Sequence, residues 1–349
     1  MILRAFRYAG PSALTRTLCG DLLSAREYAL LLDAANIGEM LAALRTTSYA
    51  AAFEETGRRF DYAIRDRWRK NVEKISVRAP GETRALCLAY LAKLEFEAVK
   101  TLLRGIVAGV ERRRVLAMLP PLSAASSIPL NAVVAATDLE QATAALKETP
   151  YHDAIAEGVE AAQAKPSTGG SGLLLSIETA LDRQYFARLK AAVERFSGAE
   201  RIMIGRIAGM MADAENLIAV ERLKKVFQLS PEDAAPFLIP LGARREVSQR
   251  RALHAWNDEH PASDGRDTGA SDGALRVLLL RALNAEARRL LFMIPFHAGL
   301  PFAFAILSDH EAADLIAIHE AKRWGFARKD VPGRLIRASA RAEIGEPGV

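Results

Sequence analysis

The run His310-Glu311-Ala312-Ala313-Asp314, followed by His319 and Glu320, places a histidine and carboxylates within helical reach of one another. A zinc hydrolase uses two ligands one turn apart with a carboxylate base between them, and His310 with Asp314 has that spacing around Glu311. The second histidine of the usual signature is missing. Side chains of these types at the start of a helix also cap its backbone and meet its dipole. Structural use therefore stands ahead of a helical metal-dependent hydrolase built on His310, Glu311 and Asp314. The segment from Lys165 to Gly172 (KPSTGGSG) is glycine-rich, but it lacks the Gly-Lys-Ser/Thr ending of a phosphate loop and follows no strand. It reads as a surface linker. Cys19 and Cys87 sit in apolar helical surroundings and read as buried thiols. No catalytic residue, metal ligand, cofactor or small-molecule substrate is expected, and the chain is not read as an enzyme.

Charge is the other chemical resource. Arg58, Arg59, Arg65, Arg67, Arg69, Lys70, Lys74 and Arg78 are offset by Asp61, Asp66 and Glu73. Such a run is able to hold an acidic partner or anionic headgroups, although a solvated helix face is its commoner meaning. The whole chain carries 47 Lys+Arg against 42 Asp+Glu over 349 residues, a formal charge of +5. That excess is mild for the size and does not imply nucleic acid as a partner.

Helices must position these groups. Half of the residues are hydrophobic, 26% are charged, and strong helix formers dominate, so the expected fold class is all-α. Two cysteines are too few for a disulfide framework, and MILRAFRYAG lacks the apolar core of a secretion signal, which together give a cytoplasmic address. Leu290 to Leu307 is 18 residues without a formal charge, the minimum for a membrane span. Pro295, Gly299 and Pro301 interrupt it, and the freed carbonyls would lack partners in lipid, so a buried turn between helices is expected. Further breaks are expected at Val77–Glu82, Leu119–Pro129 and Asn257–Gly273. Ser230 before Pro231 signals a helix start.

The chain also repeats itself. Glu97-Ala-Val-Lys100, Asp213-Ala-Glu-Asn216 and Glu311-Ala-Ala-Asp314 align, and the apolar residues around them fall into register, with Ser308 the one poor match. At about 100° per residue, Glu97, Lys100, Asp213, Asn216, Glu311 and Asp314 are expected on the polar side of their helices, away from the apolar stripe. A second motif, Leu44-Arg45-Thr46-Thr47-Ser48-Tyr49, recurs as Leu146-Lys147-Glu148-Thr149-Pro150-Tyr151. Three related helical units follow from these two repeats.

In wording as well as periodicity, several segments resemble the C or d subunits of A-type and V-type rotary ATPases. Glu178 to Leu189 (ETALDRQYFARL) is similar to that family's third-unit opening. Asp213 to Lys224 (DAENLIAVERLK) is similar to its Asp-x-x-Asn-Leu helix, and Ile239-Pro240-Leu241-Gly242 to the turn after it. Ile294-Pro295-Phe296 through Glu311 to Lys322 resembles its ending. Lys100 and Asp314 stand where the family usually has Asn. The resemblance implies three similar helical units in a pseudo-threefold funnel. Approximate bounds are 1–80 with 81–118 for the first unit, 119–172 for a second-unit segment and linker, and 173–256 for a third-unit segment. A loop at 257–273 and a C-terminal helical segment at 274–349 complete the chain. It further implies a non-catalytic role on the cytoplasmic face, with central-stalk subunits and the proteolipid rotor ring as partners and the six repeated residues as partner-binding or structural positions. A soluble helical-repeat adaptor unrelated to rotary ATPases is the competing expectation.

Overall fold

Helix formers at three-to-four spacing produce helices throughout the computed structural model, which describes residues 2–54, 57–164, 169–225, 227–241, 270–293 and 296–337. In order these are α1 (Ile2–Gly20), α2 (Ala25–Asp33), α3 (Ile37–Leu44), α4 (Phe60–Arg78), α5 (Gly81–Leu91), α6 (Lys93–Val107), α7 (Arg112–Met118) and α8 (Leu130–Ala135). Then follow α9 (Leu139–Ala145), α10 (His152–Ala164), α11 (Gly169–Val193), α12 (Gly198–Lys225), the single turn α13 (Pro231–Ala234), α14 (Ala270–Met293) and α15 (Gly299–Arg323). No strand occurs among the described residues, and the fold is all-α. None of these helices is long and apolar enough to cross a membrane.

The helix breaks fall mostly where Pro, Gly and Ser cluster. Residues 79–80 separate α4 from α5, and 119–129 separate α7 from α8. Two loops are shorter than expected. Gly169–Gly172 already belong to α11 and Ala270–Gly273 to α14, while 165–168 and 257–269 lie outside the described residues. Inside the apolar run, α14 ends at Met293 and α15 begins at Gly299. Pro301 falls in the first turn of α15, where its missing N–H breaks no helical bond. Leu300 through Leu307 are buried, so this run is the spine of a protein core.

The chain divides into two units, each assembled from separated stretches. One comprises the described parts of Met1–Leu88, Arg195–Ala214 and His260–Val349; the other those of Ala89–Glu194 and Glu215–Glu259. In the first, α4, α14 and α1 pack on α15. Trp68 on α4 donates its indole N–H to the Ala305 carbonyl at 2.9 Å, and Asn284 on α14 lies 3.1 Å from His310 Nδ1. In the second, α10 and α11 pack along the most extensive helix–helix contact. A Cβ added at Gly158 would stand 2.4 Å from the Cα of Ile177, so the absence of a side chain sets this approach. Gly158→Ala gains helix propensity worth about 1 kcal/mol but forces a backbone to move, at about 1–3 kcal/mol. We expect a net loss of thermal stability; a melting temperature at or above wild type would show that the two helices part freely.

The Leu-to-Tyr motif repeats as structure. Asn36, Asp138 and Ser230 each cap a helix by accepting the N–H three residues on, from Glu39 at 3.0 Å, Gln141 at 2.8 Å and Asp233 at 3.2 Å. Eight residues after each cap, Leu44, Leu146 and Leu238 are wholly buried. In the first two copies a threonine hydroxyl then bonds back to the leucine carbonyl, Thr47 to Leu44 at 2.7 Å and Thr149 to Leu146 at 2.6 Å. These turns point Tyr49 and Tyr151 inward.

Candidate functional site

The repeated residues do not share one polar face. Glu311 and Asp314 are 0% and 1% exposed, and Asn216 is 1% exposed, whereas Glu97, Lys100 and Asp213 are half-buried. Nor do His310, Glu311 and Asp314 begin a helix: they lie in the middle of α15, which begins at Gly299. Their partners are therefore other segments of the chain, and not the ends of their own helix.

Glu311 gathers the N-terminal hairpin. Its carboxylate accepts the Leu23 N–H at 2.9 Å and the Tyr49 hydroxyl at 2.8 Å, and it ion-pairs with Arg337. Leu23 is the residue before Ser24, whose capping box with Glu27 starts α2. One carboxylate thus fixes the entry of α2, the turn after α3 and the chain after α15. Asp314, one turn on, accepts the N–H groups of Ile336 at 2.6 Å and Arg337 at 2.8 Å, and the Tyr28 hydroxyl at 3.2 Å. Burial lifts the Asp314 carboxyl to about 6, against the pull of those two N–H groups. Tyr28 is pushed well above the usual phenol range by burial and by the neighbouring Asp314 charge. Because the oxygens of Glu311 and Asp314 are taken up by N–H, O–H and guanidinium donors, the arrangement holds chain segments together. Among the described residues no group of three His, Cys, Asp or Glu side chains is placed to hold a metal.

Asn216 does the corresponding work in the other unit. Its amide donates to the Ile239 carbonyl at 3.0 Å and accepts the Ile239 N–H at 2.7 Å, clamping the segment after α13. Each side chain suits its task. Asn216 faces one donor and one acceptor and needs an amide; Asp314 faces donors alone and needs a carboxylate. Asp at 314 and Asn at 216 each have this as their physical reason.

Two arginines outside the repeated motifs complete the pattern. Arg183 on α11 donates to the carbonyl of Leu238 at 3.2 Å and to that of Pro236, and Arg281 on α14 donates to that of Leu335 at 2.9 Å and that of Pro332 at 3.1 Å. Motif spacing alone does not single them out. Arg183 and Arg281 are, however, the same 98 positions apart as Asn216 and Asp314, and as Asp213 and Glu311. That constant offset is the signal that finds them. Ser308, the poor match in the apolar register, is buried and satisfies its hydroxyl on the Phe304 carbonyl at 2.7 Å.

The first copy is built differently. Lys100 pairs with Asp182, and Arg104 with Glu178, joining α6 to α11 through charges. The basic run of α4 is largely consumed within the fold: Arg69 pairs with Asp66 at 2.6 Å and Glu73 at 2.7 Å, Lys70 and Arg58 reach Asp66, and Arg67 lies 3.9 Å over the Tyr49 ring. Burial raises the thiols of Cys19 to about 11 and Cys87 to about 12, which keeps both protonated.

The clamping side chains Arg183, Asn216, Arg281, Glu311 and Asp314 lie inside one continuous family match. The ATP synthase (C/AC39) subunit model covers residues 11–332. The C subunit of the A-type ATP synthase of Methanothermobacter thermautotrophicus is 25% identical over 340 residues, 92% of this chain and 86% of that protein. The protein of the same name from Methanobrevibacter smithii is 24% identical over 353 residues, covering 96% and 89%. That from Methanosarcina mazei is 23% identical over 252 residues, covering 70% and 67%. An unrelated helical-repeat adaptor is excluded by the extent of the match, and the chain belongs to the ATP synthase (C/AC39) subunit family.

Proposed function

We propose that this chain is the non-catalytic subunit that couples the central shaft of an A-type or V-type rotary ATPase to the membrane proteolipid ring, on the cytoplasmic side. The family match from 11 to 332 carries the reading. Physical support comes from the buried clamps. A part that transmits torque must not yield under load, and Glu311, Asp314, Asn216, Arg183 and Arg281 each tie a helix to a distant segment through side-chain to backbone bonds. On this reading the chain forms three similar helical units in a pseudo-threefold funnel, and Glu311, Asp314 and Asn216 serve its stiffness. The half-buried Glu97 and Asp213 are then the repeated acids within reach of a partner.

Purification of a tagged chain from its native membrane tests this. Central-stalk subunits and the proteolipid are expected to co-purify, and recovery of the chain without either overturns the proposal. Glu97→Lys with Asp213→Lys is expected to weaken stalk binding by about tenfold or more, since interfacial charges set partner choice. Unchanged binding with an unchanged melt would take both residues out of the interface.

A further inference from the structure

We propose that α7 and the turn before it form a docking tip for a surface of anionic lipid headgroups. Arg112, Arg113 and Arg114 open α7, and all three are exposed. None of the three side chains has a hydrogen bond or ion pair among the described residues, in contrast to the neutralised arginines of α4. Glu111 is the one acidic residue between Ala98 and Thr137, a stretch that also holds Lys100 and Arg104. With Lys100 and Arg104 paired to Asp182 and Glu178, the exposed charge of the tip is three arginines against Glu111, a net positive one.

Apolar surface accompanies it. Leu116 is 40% exposed, Met118 50%, and Val107 at the end of α6 52%. Successive helical residues turn by about 100°, so Arg112 and Leu116 share one flank of α7 and Arg114 and Met118 the other, with Arg113 and Ala117 outward. Val115 alone faces inward and is buried. It seats on Gly105 of α6, where an added Cβ would stand 2.5 Å from Val115 Cγ2. The Val110 N–H bonds to the Gly105 carbonyl at 2.8 Å, and Gly109 turns the chain at φ +61°. The tip is fixed to α6 by that seat, and its three charges project over an arc of about 200°.

This dispersal favours lipid over a protein partner. A protein pocket pairs charges one by one and is centred on aromatic anchors, and no exposed aromatic lies in this patch. A headgroup layer offers phosphate in every direction, and short apolar side chains enter its acyl boundary while arginine stems reach back to the phosphates. The inference does not rest on the coupling role, because it is read on the isolated chain.

The full chain is sedimented with phosphatidylcholine vesicles, with and without phosphatidylglycerol. Wild type is expected to bind the anionic vesicles and not the neutral ones. Each arginine near the surface contributes about fivefold, so Arg112→Gln, Arg113→Gln and Arg114→Gln together are expected to weaken binding about a hundredfold. Leu116→Ser with Met118→Ser is expected to weaken it severalfold, and Lys74→Gln with Arg78→Gln, at the end of α4, to leave it unchanged. Thermal melts should match wild type, since none of the three arginines of α7 has a partner to lose. Absence of wild-type binding to anionic vesicles overturns the proposal, as does equal loss in the α4 control. If the triple variant keeps vesicle binding but loses a co-purifying acidic protein, the tip docks protein instead.

Discussion

Glu311→Ala is expected to be the most damaging single substitution in the chain, lowering the free energy of unfolding by about 3–5 kcal/mol. The carboxylate is wholly buried and serves three donors at once: the Leu23 N–H, the Tyr49 hydroxyl and Arg337. Its removal leaves a guanidinium without its charge partner and two polar groups unsatisfied in the core. Glu311→Gln is expected to fall between, because the amide still accepts one of the bonds but carries no charge to set against Arg337. The double variant Glu311→Met with Arg337→Met separates charge loss from packing loss. Replacing both ends of a buried pair with apolar groups is often neutral, so the double variant should be more stable than Glu311→Ala. Urea unfolding followed by circular dichroism decides. A cost below about 1 kcal/mol for Glu311→Ala would mean that the three segments are not held by this carboxylate.

The second expectation is a reciprocal one. Asp314→Asn and Asn216→Asp should each cost about 1–3 kcal/mol, although each installs the residue that works in the other copy. At 314 an amide turns its NH2 toward an N–H donor, since Ile336 and Arg337 both donate there. At 216 a carboxylate loses the donor that reaches the Ile239 carbonyl, and sets two acceptors against each other. If either swap were neutral, the match of side chain to backbone partners would not be what holds these segments. Acidity adds a signature at 314. With the folded-state carboxyl raised to about 6 and the unfolded chain near the ordinary value, the folded protein binds the extra proton between those limits. Wild-type stability from this group is thus lowest above pH 6 and rises as pH falls toward about 4, by about 1.4 kcal/mol per unit at most. The penalty of Asp314→Asn should grow over the same range. A penalty that shrinks on acidification would contradict the raised value.

Much of the fold follows from local chemistry and is legible in the residues alone. Helix formers at three-to-four spacing, Pro at 80, 120, 121 and 129, and the cap at Ser230 act within a few residues of themselves, and the helices begin and end accordingly. The family resemblance is equally legible, since it rests on short segments read along the chain, and the family match over residues 11–332 agrees with it. The environment of the repeated acids is not. A carboxylate on an otherwise apolar helix looks solvent-facing when only its own helix is considered, and Glu311 and Asp314 look that way in the sequence. Their burial depends on Leu23, Tyr28, Tyr49, Ile336 and Arg337, residues of three other segments, one of them 288 positions distant. The same holds for α4, whose basic run reads as a solvated face until Asp66, Glu73 and the Tyr49 ring are brought against it. Helical periodicity states which residues share a face, because rotation per residue is a property of the backbone. Which faces then become interior is decided by the segments that supply donors to them, and only the tertiary structure brings those segments together.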